Sequence, residues 1–194
     1  MAPIKKLQDL LFVDTETTGL DSTKHELLEV AAIRTSPDGR TVIQTYEAKL
    51  FPEHLETAEP RALEVNKYSA AEWPRDKCAR PEDVVDALQK MSGNTVLVGQ
   101  NVSFDEGFLS PLFTRLGMKP PWGYHKIDTV SLAWPLYFNN AELPGLSLEK
   151  LCKFLGVESM PTHRAAADVE ACRQVYLNLM ERWAIITNNQ IARP

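Results

Sequence analysis

Acidic residues recur in this chain at three places where their type and spacing could do chemistry. The first is Asp14-Thr15-Glu16-Thr17-Thr18-Gly19, directly after the apolar run 10–13. If that run is a strand, residues two apart point to one face, and Asp14 and Glu16 stand side by side roughly 7 Å apart along the chain. Like charges so placed repel, and a hard cation with oxygen ligands relieves them; a polar turn after a strand is the other reading. The second is Asn101-Val102-Ser103-Phe104-Asp105. There Asp105 falls in the first turn of a helix, which suits a carboxylate near unpaired N–H groups as well as a site. The third is Asp168, which shares a helical face with Ala165, Cys172, Val175, Tyr176 and Leu179. A carboxylate written into an apolar stripe needs a compensating partner, and with no Lys or Arg in the stripe a metal or a capping role is left. His163, five residues before Asp168, opens the same helix, either as a surface or capping residue or as a proton acceptor near neutral pH.

The elements that must carry these groups are legible from periodicity. Residues 10–13, 27–33 and 41–50 read as strands, the last two joined through the turn signal Ser36-Pro37-Asp38-Gly39. Pro81 starts a helix with Val84, Val85, Leu88 and Met91 on one face and Gly93 as its stop, and residues 95–98 follow as a buried strand. Ser103 and Glu106 form a capping-box pattern for a helix carrying Phe108, Leu109, Leu112, Phe113 and Leu116 and ending at Gly117. Ser147 is placed to cap a helix with Leu148, Leu151, Cys152 and Leu155 inward, closed by Gly156, and a last long helix spans 164–183. Strands first, then strands alternating with helices, predict a mixed sheet covered by helices. The stretch 53–80, rich in charge and proline, has no clear pattern.

Composition narrows the function. The chain has 194 residues, 44% of them hydrophobic and 24% charged, enough for one domain with a full core. No apolar run reaches the roughly 18 residues needed to span a bilayer, and residues 1–10 lack a signal-peptide layout, so no membrane is expected and a cytoplasmic (cytosolic or nucleoid) location is the reading. Three widely spaced cysteines without a C-x-x-C pair suggest neither a disulfide framework nor a zinc site. A net charge of -5 argues against gripping long duplex through a basic stripe.

Taken together, the residues resemble the DEDDh family of 3′-to-5′ exonucleases, which includes the proofreading epsilon subunit of bacterial replicative polymerase, ribonuclease T and oligoribonuclease. Phe12-Val13-Asp14-Thr15-Glu16-Thr17-Thr18-Gly19-Leu20 looks like its first motif, Gln100-Asn101-Val102-Ser103-Phe104-Asp105 like its second and His163-Arg164-Ala165-Ala166-Ala167-Asp168 like its third. The segments 60–68 and 146–156 also look similar to the epsilon type. The family variant with tyrosine at the base position differs, and His163 implies the histidine branch. The resemblance implies an α/β, ribonuclease H-like fold, a five-stranded mixed sheet with helices on both sides, whose fifth strand would be 125–128. One exonuclease domain over 1–183 and a short tail over 184–194 are expected.

By the same resemblance, Asp14, Glu16 and Asp168 would hold a divalent cation beside the attacking water. Asp14 would bridge to a second cation supported by Asp105. His163 would be the general base; His25, His54 and His125 read as surface residues. Magnesium fits an all-carboxylate ligand set, with manganese able to substitute. Thr17, Thr18, Leu20, Asn66, Asn101 and Phe104 occupy positions expected near the terminal nucleotide. Phe104 is a stacking candidate, with Trp73 and Trp122 behind it. The implied reaction is hydrolysis at free 3′ ends of single-stranded or frayed nucleic acid, DNA favoured over RNA, with release of 5′-mononucleotides. The alternatives are a proofreading subunit that needs a polymerase partner and a module that binds nucleic-acid ends without cutting. The latter would have no reason to keep four carboxylates and a histidine.

Overall fold

The computed structural model describes residues 8–93, 95–159 and 162–191, with side chains described to residue 187. Its sheet has five strands in the order β3-β2-β1-β4-β5, where β1 is Leu10–Thr17, β2 Leu27–Thr35, β3 Val42–Lys49, β4 Val96–Gly99 and β5 Lys126–Asp128. The pairs β1–β2 and β2–β3 are antiparallel, as hairpin connections require, while β1–β4 and β4–β5 are parallel. Helices α1 (Pro60–Val65), α2 (Pro81–Ser92), α3 (Val102–Arg115), α4 (Thr129–Tyr137), α5 (Leu148–Leu155) and α6 (Ala165–Ile191) complete the chain. The expected ribonuclease H-like mixed sheet is therefore present.

Alternation along β1 divides the core. Leu11 and Val13 face one side and pack with Val84, Val85 and Leu88 of α2 and Leu109 and Phe113 of α3. Leu10 and Phe12 face the other side and pack with Val169, Cys172 and Tyr176 of α6. A third cluster joins α4, α5 and α6 through Ala133, Leu151, Cys152, Val175 and Leu179. Both faces of the sheet are thus covered, and β1, fully buried over residues 10–13, is an axis with a helical layer on each side.

Several local expectations change. The strand that the apolar run announces does not stop at residue 13: β1 continues through Asp14 to Thr17, kept in register by β2 as far as Glu16, after which the pairing shifts. Helix α3 starts one residue before Ser103, at Val102, so the capping box at Ser103 is not used. Its cap comes from another element, since the Asp128 carboxylate accepts the N–H groups of Asn101 (3.2 Å) and Val102 (3.1 Å) and also that of Val130 (2.9 Å) in α4. Asn101 is in the left-handed region (φ 61°), a conformation Asn tolerates, which lets the chain turn sharply from β4 into α3. Leu116 lies at the exposed end of α3 instead of in its buried face. Ser147 is the N-cap residue of α5, but its hydroxyl makes no capping bond. Helix α4 carries Pro135, which hid it in the sequence, and α6 runs on to Ile191, so residues 184–191 are helical.

Asp128 ties two helix starts to one strand end, so Asp128→Ala should leave three backbone N–H groups without that acceptor. A loss of about 1–3 kcal/mol in urea unfolding is expected. A change within error would show that water replaces the carboxylate at no cost.

Candidate active site

Strand β1 outruns its neighbour β4. The parallel pairing covers only Leu10, Leu11 and Phe12, opposite Val96 to Val98, and with β4 ending at Gly99 the residues Asp14 to Thr17 extend past it. The chain direction changes sense across β1, antiparallel on one side and parallel on the other, the kind of switch point at which open sheets place their sites beyond the strand ends. Asp14 and Glu16 project from β1 into this region on the face that meets α6. Asp168, in the first turn of α6, faces them and is 6% exposed, and Glu16 is 9% exposed. The fourth acid comes from the other layer. Asp105 of α3, 3% exposed, accepts a hydrogen bond of 2.8 Å from the hydroxyl of Thr15, which points to the opposite face from its two acidic neighbours. The two helical layers therefore deliver carboxylates to one strand end from opposite sides.

The electrostatic consequence is severe. Burial raises the Asp14 carboxyl well above the usual carboxylate range, and the charges of Asp105, Asp168, Glu16 and Glu29 add to it. Burial followed by the charges of Asp168 and Glu29 pushes Glu16 up to about 8. Asp105 is pushed up to about 7 by burial, despite the bonds it receives from Thr15. Asp168 is raised by burial too, against the N–H of Thr162, which donates to its Oδ1 at 2.8 Å, and the charge of His163. Protonation at neutral pH or a bound cation is the physical remedy.

His163 stands at the mouth of this cluster, solvent-exposed, while the acids lie beneath it. One ligand atom each from Glu16, His163 and Asp168 lie within 4.8 Å of one another. Among the described residues this is the one such group of three, and Asp14 and Asp105 stand outside it, joined to it through their charge interactions. His163 has φ 56°, uncommon for a residue with a side chain, and adopts it between two backbone anchors: the Thr162 N–H on Asp168 and the Ala165 N–H on Oε2 of Glu29 at 3.1 Å. The donor set suits a hard divalent cation: carboxylates in excess, mutually repelling, with one imidazole at the edge.

The expected substrate contacts fall into different groups. Leu20 is 74% exposed beside the acids, a large apolar side chain with no packing partner in the core. Phe104 is partly buried, its ring 5.0 Å from that of Phe108. Asn101 is exposed and displays the left-handed turn before α3. Asn66 is buried, and its Nδ2 donates to the Thr17 carbonyl at 2.8 Å; this bond holds the first-motif loop in place. Thr18 is bonded on every side: its N–H donates to the Glu26 carbonyl, its hydroxyl accepts from the Glu26 N–H and its carbonyl accepts from the Glu59 N–H. The hydroxyl of Thr17 donates to the Gly19 carbonyl at 2.7 Å.

Trp73 and Trp122 do not serve as stacking surfaces. Trp73 has no exposed area and donates its indole N–H to the Leu28 carbonyl, and Trp122 packs edge-on against Phe113 and bonds Glu106. His25 is not a surface residue either. Its ring lies against Gly19, where any side chain would collide with it, and its Nδ1 accepts the Asp21 N–H at 3.0 Å.

Residues 11–176 match the family described as Exonuclease. The chain belongs to this exonuclease family. It is a DEDD-type 3′-to-5′ exonuclease domain, and so a hydrolase. The exonuclease is 31% identical over 172 residues to a DNA polymerase III PolC-type protein of Oceanobacillus iheyensis and 30% identical over 171 residues to that of Bacillus subtilis. In each case 87% of the chain is covered, but only 11% of the relative, so the chain spans about a tenth of the length of these polymerases. An exonuclease I structure superposes with a TM-score of 0.78 at 22% identity, covering 94% of this chain and 43% of that one. E. coli exonuclease I in complex with a dT13 oligonucleotide gives 0.76 at 22% identity, with the same coverage of each chain.

Sequence reasoning missed Glu29. It lies opposite Glu16 in the β1–β2 register, inside a run that reads as plain apolar strand, and only pairing places it beside the acids. The sole signal was a charged residue in Leu27-Leu28-Glu29-Val30, where a strand buried on both faces should be apolar.

Because Glu16 is raised from 4.5 to about 8, the folded exonuclease holds a proton across that window which the unfolded chain has released. Its contribution to stability is therefore full below pH 4.5 and is lost as pH rises towards 8. In EDTA, Tm should fall as pH rises through this range, and a divalent cation should flatten the slope. Asp14→Asn in EDTA should be at least as stable as the parent, because it removes one repelling charge. A Tm in EDTA that climbs with pH over this range would refute the charge-repulsion account.

Proposed function

We propose that this exonuclease hydrolyses the terminal phosphodiester bond at free 3′ ends of single-stranded DNA, with Asp14, Glu16, Asp105 and Asp168 holding two divalent cations and His163 as general base. The observation that carries it is the convergence of four buried or half-buried carboxylates on one strand end with an exposed imidazole above them. Magnesium suits the oxygen donors, and manganese should replace it. When bound, such cations supply charge stabilisation for the entering and leaving oxygens of an in-line displacement at phosphorus. The reaction bonds a water oxygen to phosphorus and breaks the P–O3′ bond, releasing a 5′-mononucleotide, while the departing O3′ takes a proton from solvent and becomes the new 3′ hydroxyl of the shortened strand. His163 takes the proton of the attacking water, and its exposure lets it return that proton to solvent. Asn66 and Thr18 hold the first-motif loop so that Leu20 and the backbone near Thr17 face the terminal nucleotide. Phe104 and the turn at Asn101 border the same opening. DNA is favoured by the PolC-type relatives and by the deoxyoligonucleotide bound to exonuclease I. The overall charge of -5 favours short contacts with the last nucleotides and low processivity.

A proofreading role beside a polymerase is a second reading, favoured by the PolC-type relatives, in which a matching domain is a small part of a long chain. It predicts faster removal of mismatched than of matched 3′ termini.

A time course on 5′-labelled single-stranded DNA, single-stranded RNA, blunt duplex and 3′-blocked strands, with and without magnesium, tests the main reading. The expected result is a ladder shortening from the 3′ end of single-stranded DNA only when the cation is present. Internal cleavage of a blocked strand, or faster loss of blunt duplex than of single strand, contradicts it. Asp14→Asn and Asp168→Asn should abolish turnover in folded protein. His163→Ala should lower kcat by about two to four orders of magnitude with little change in metal affinity. A loss below about fivefold would place the base elsewhere.

A further inference from the structure

Glu29 is a fifth carboxylate beside the four acids, 6% exposed, on the strand next to Glu16 and directly opposite it in register. Its charge adds to a cluster that is already repulsive, so a neutral side chain would be easier to bury there. Both of its oxygens are engaged at the start of α6. Oε2 accepts the Ala165 N–H at 3.1 Å, and Oε1 lies 2.7 Å from Nη2 of Arg164, an ion pair whose angle falls outside hydrogen-bond geometry. The Arg164 guanidinium is also seated 5.3 Å above the Trp73 ring, and Trp73 is anchored by its indole N–H to the Leu28 carbonyl, one residue from Glu29 on the same strand. A closed chain of contacts therefore runs from β2 through Trp73 and Arg164 back to Glu29. It fixes the two residues that follow His163.

We infer that Glu29 is a positioning residue for His163, acting through Ala165 and Arg164 and without touching substrate. This inference rests on the reading of His163 as the general base. His163 sits at φ 56°, and an unanchored chain would relax out of that conformation. On one side the Thr162 N–H is held by Asp168, so that anchor belongs to an acid already assigned. On the other side the anchor is Glu29, which ties the imidazole's backbone to the same β1–β2 pair that carries Asp14 and Glu16. The base and the acids thereby share one rigid frame.

The test compares the parent, Glu29→Ala, Glu29→Gln, His163→Ala and the double variant Glu29→Ala with His163→Ala, by steady-state kinetics on a single-stranded oligonucleotide and by hydrogen exchange at the Ala165 amide. Glu29→Ala should lower kcat by about tenfold or more with KM within about twofold, because the loss falls on the reaction step and spares binding. Glu29→Gln keeps an oxygen for the Ala165 N–H and should recover most of kcat and of the exchange protection. In the double variant the losses should not multiply: turnover should match that of His163→Ala alone. Parent-like kcat in folded Glu29→Ala, or multiplicative losses in the double variant, would overturn the inference. An inactive parent would instead remove the general-base reading, and exchange at Ala165 would still decide the anchor: unchanged protection in Glu29→Ala sinks it.

Discussion

Mutual repulsion among carboxylates gathered at the end of β1 is the constraint around which the rest of the molecule is organised. Asp14 and Glu16 share one face of the strand, Asp168 meets them from α6 and Asp105 arrives from α3 on the other side of the sheet. No isolated helix or hairpin would hold such charges together, because nothing local offsets the cost of burying them. The core on both faces of the sheet supplies that force: Leu11 and Val13 lock α3 in place, and Leu10 and Phe12 lock α6. The site is therefore strained by construction when nothing positive occupies it. In the proposed function, affinity for a cation would follow from the packing energy that keeps the acids from separating.

Around this centre the polar contacts divide into those that hold the acids and those that hold the loops. Thr15 orients Asp105, the Thr162 N–H orients Asp168 and Asn66 fixes the turn after Glu16. Asp128 starts both α3 and α4 from the end of β5, so the helix that brings Asp105 is seated by a carboxylate outside the cluster. The ring of His25 against Gly19 explains why that position has no side chain: the chain passes too close to an imidazole that is itself tied to Asp21. Leu20 and His163, by contrast, are exposed. A rigid acid floor with a few exposed side chains around it suits the proposed function, in which one short product leaves before the next 3′ end is held.

Much of this was legible from the chain alone. The order of the motifs, the strand-like run before Asp14, the helices led by Pro81 and Ser147 and the anomaly of Asp168 in an apolar stripe are local patterns, and local patterns follow from backbone periodicity. The acids and His163 were singled out by residue type and spacing, and the roles expected of them came from the resemblance to the exonuclease family. Glu29, Asp128 and the seating of Arg164 on Trp73 were not, because each acts on a residue far away in sequence. The helix start at Val102 shows the difference well: a four-residue capping box is visible at Ser103 to Glu106, but the cap in use comes from Asp128 on another strand. Trp73 and Trp122 look like stacking groups in one dimension and are walled in by three.

By itself the sequence determined which side chains could do chemistry, which elements carry them and the family to which the chain belongs, since these depend on residue type and spacing. Only the tertiary structure decided which of those groups meet, how deeply they are buried and which neighbours fix them. The physical reason is that burial and charge coupling are properties of distance in space. Strand register sets Glu29 opposite Glu16, the end of β4 at Gly99 leaves β1 protruding, and helices from opposite layers close on the gap.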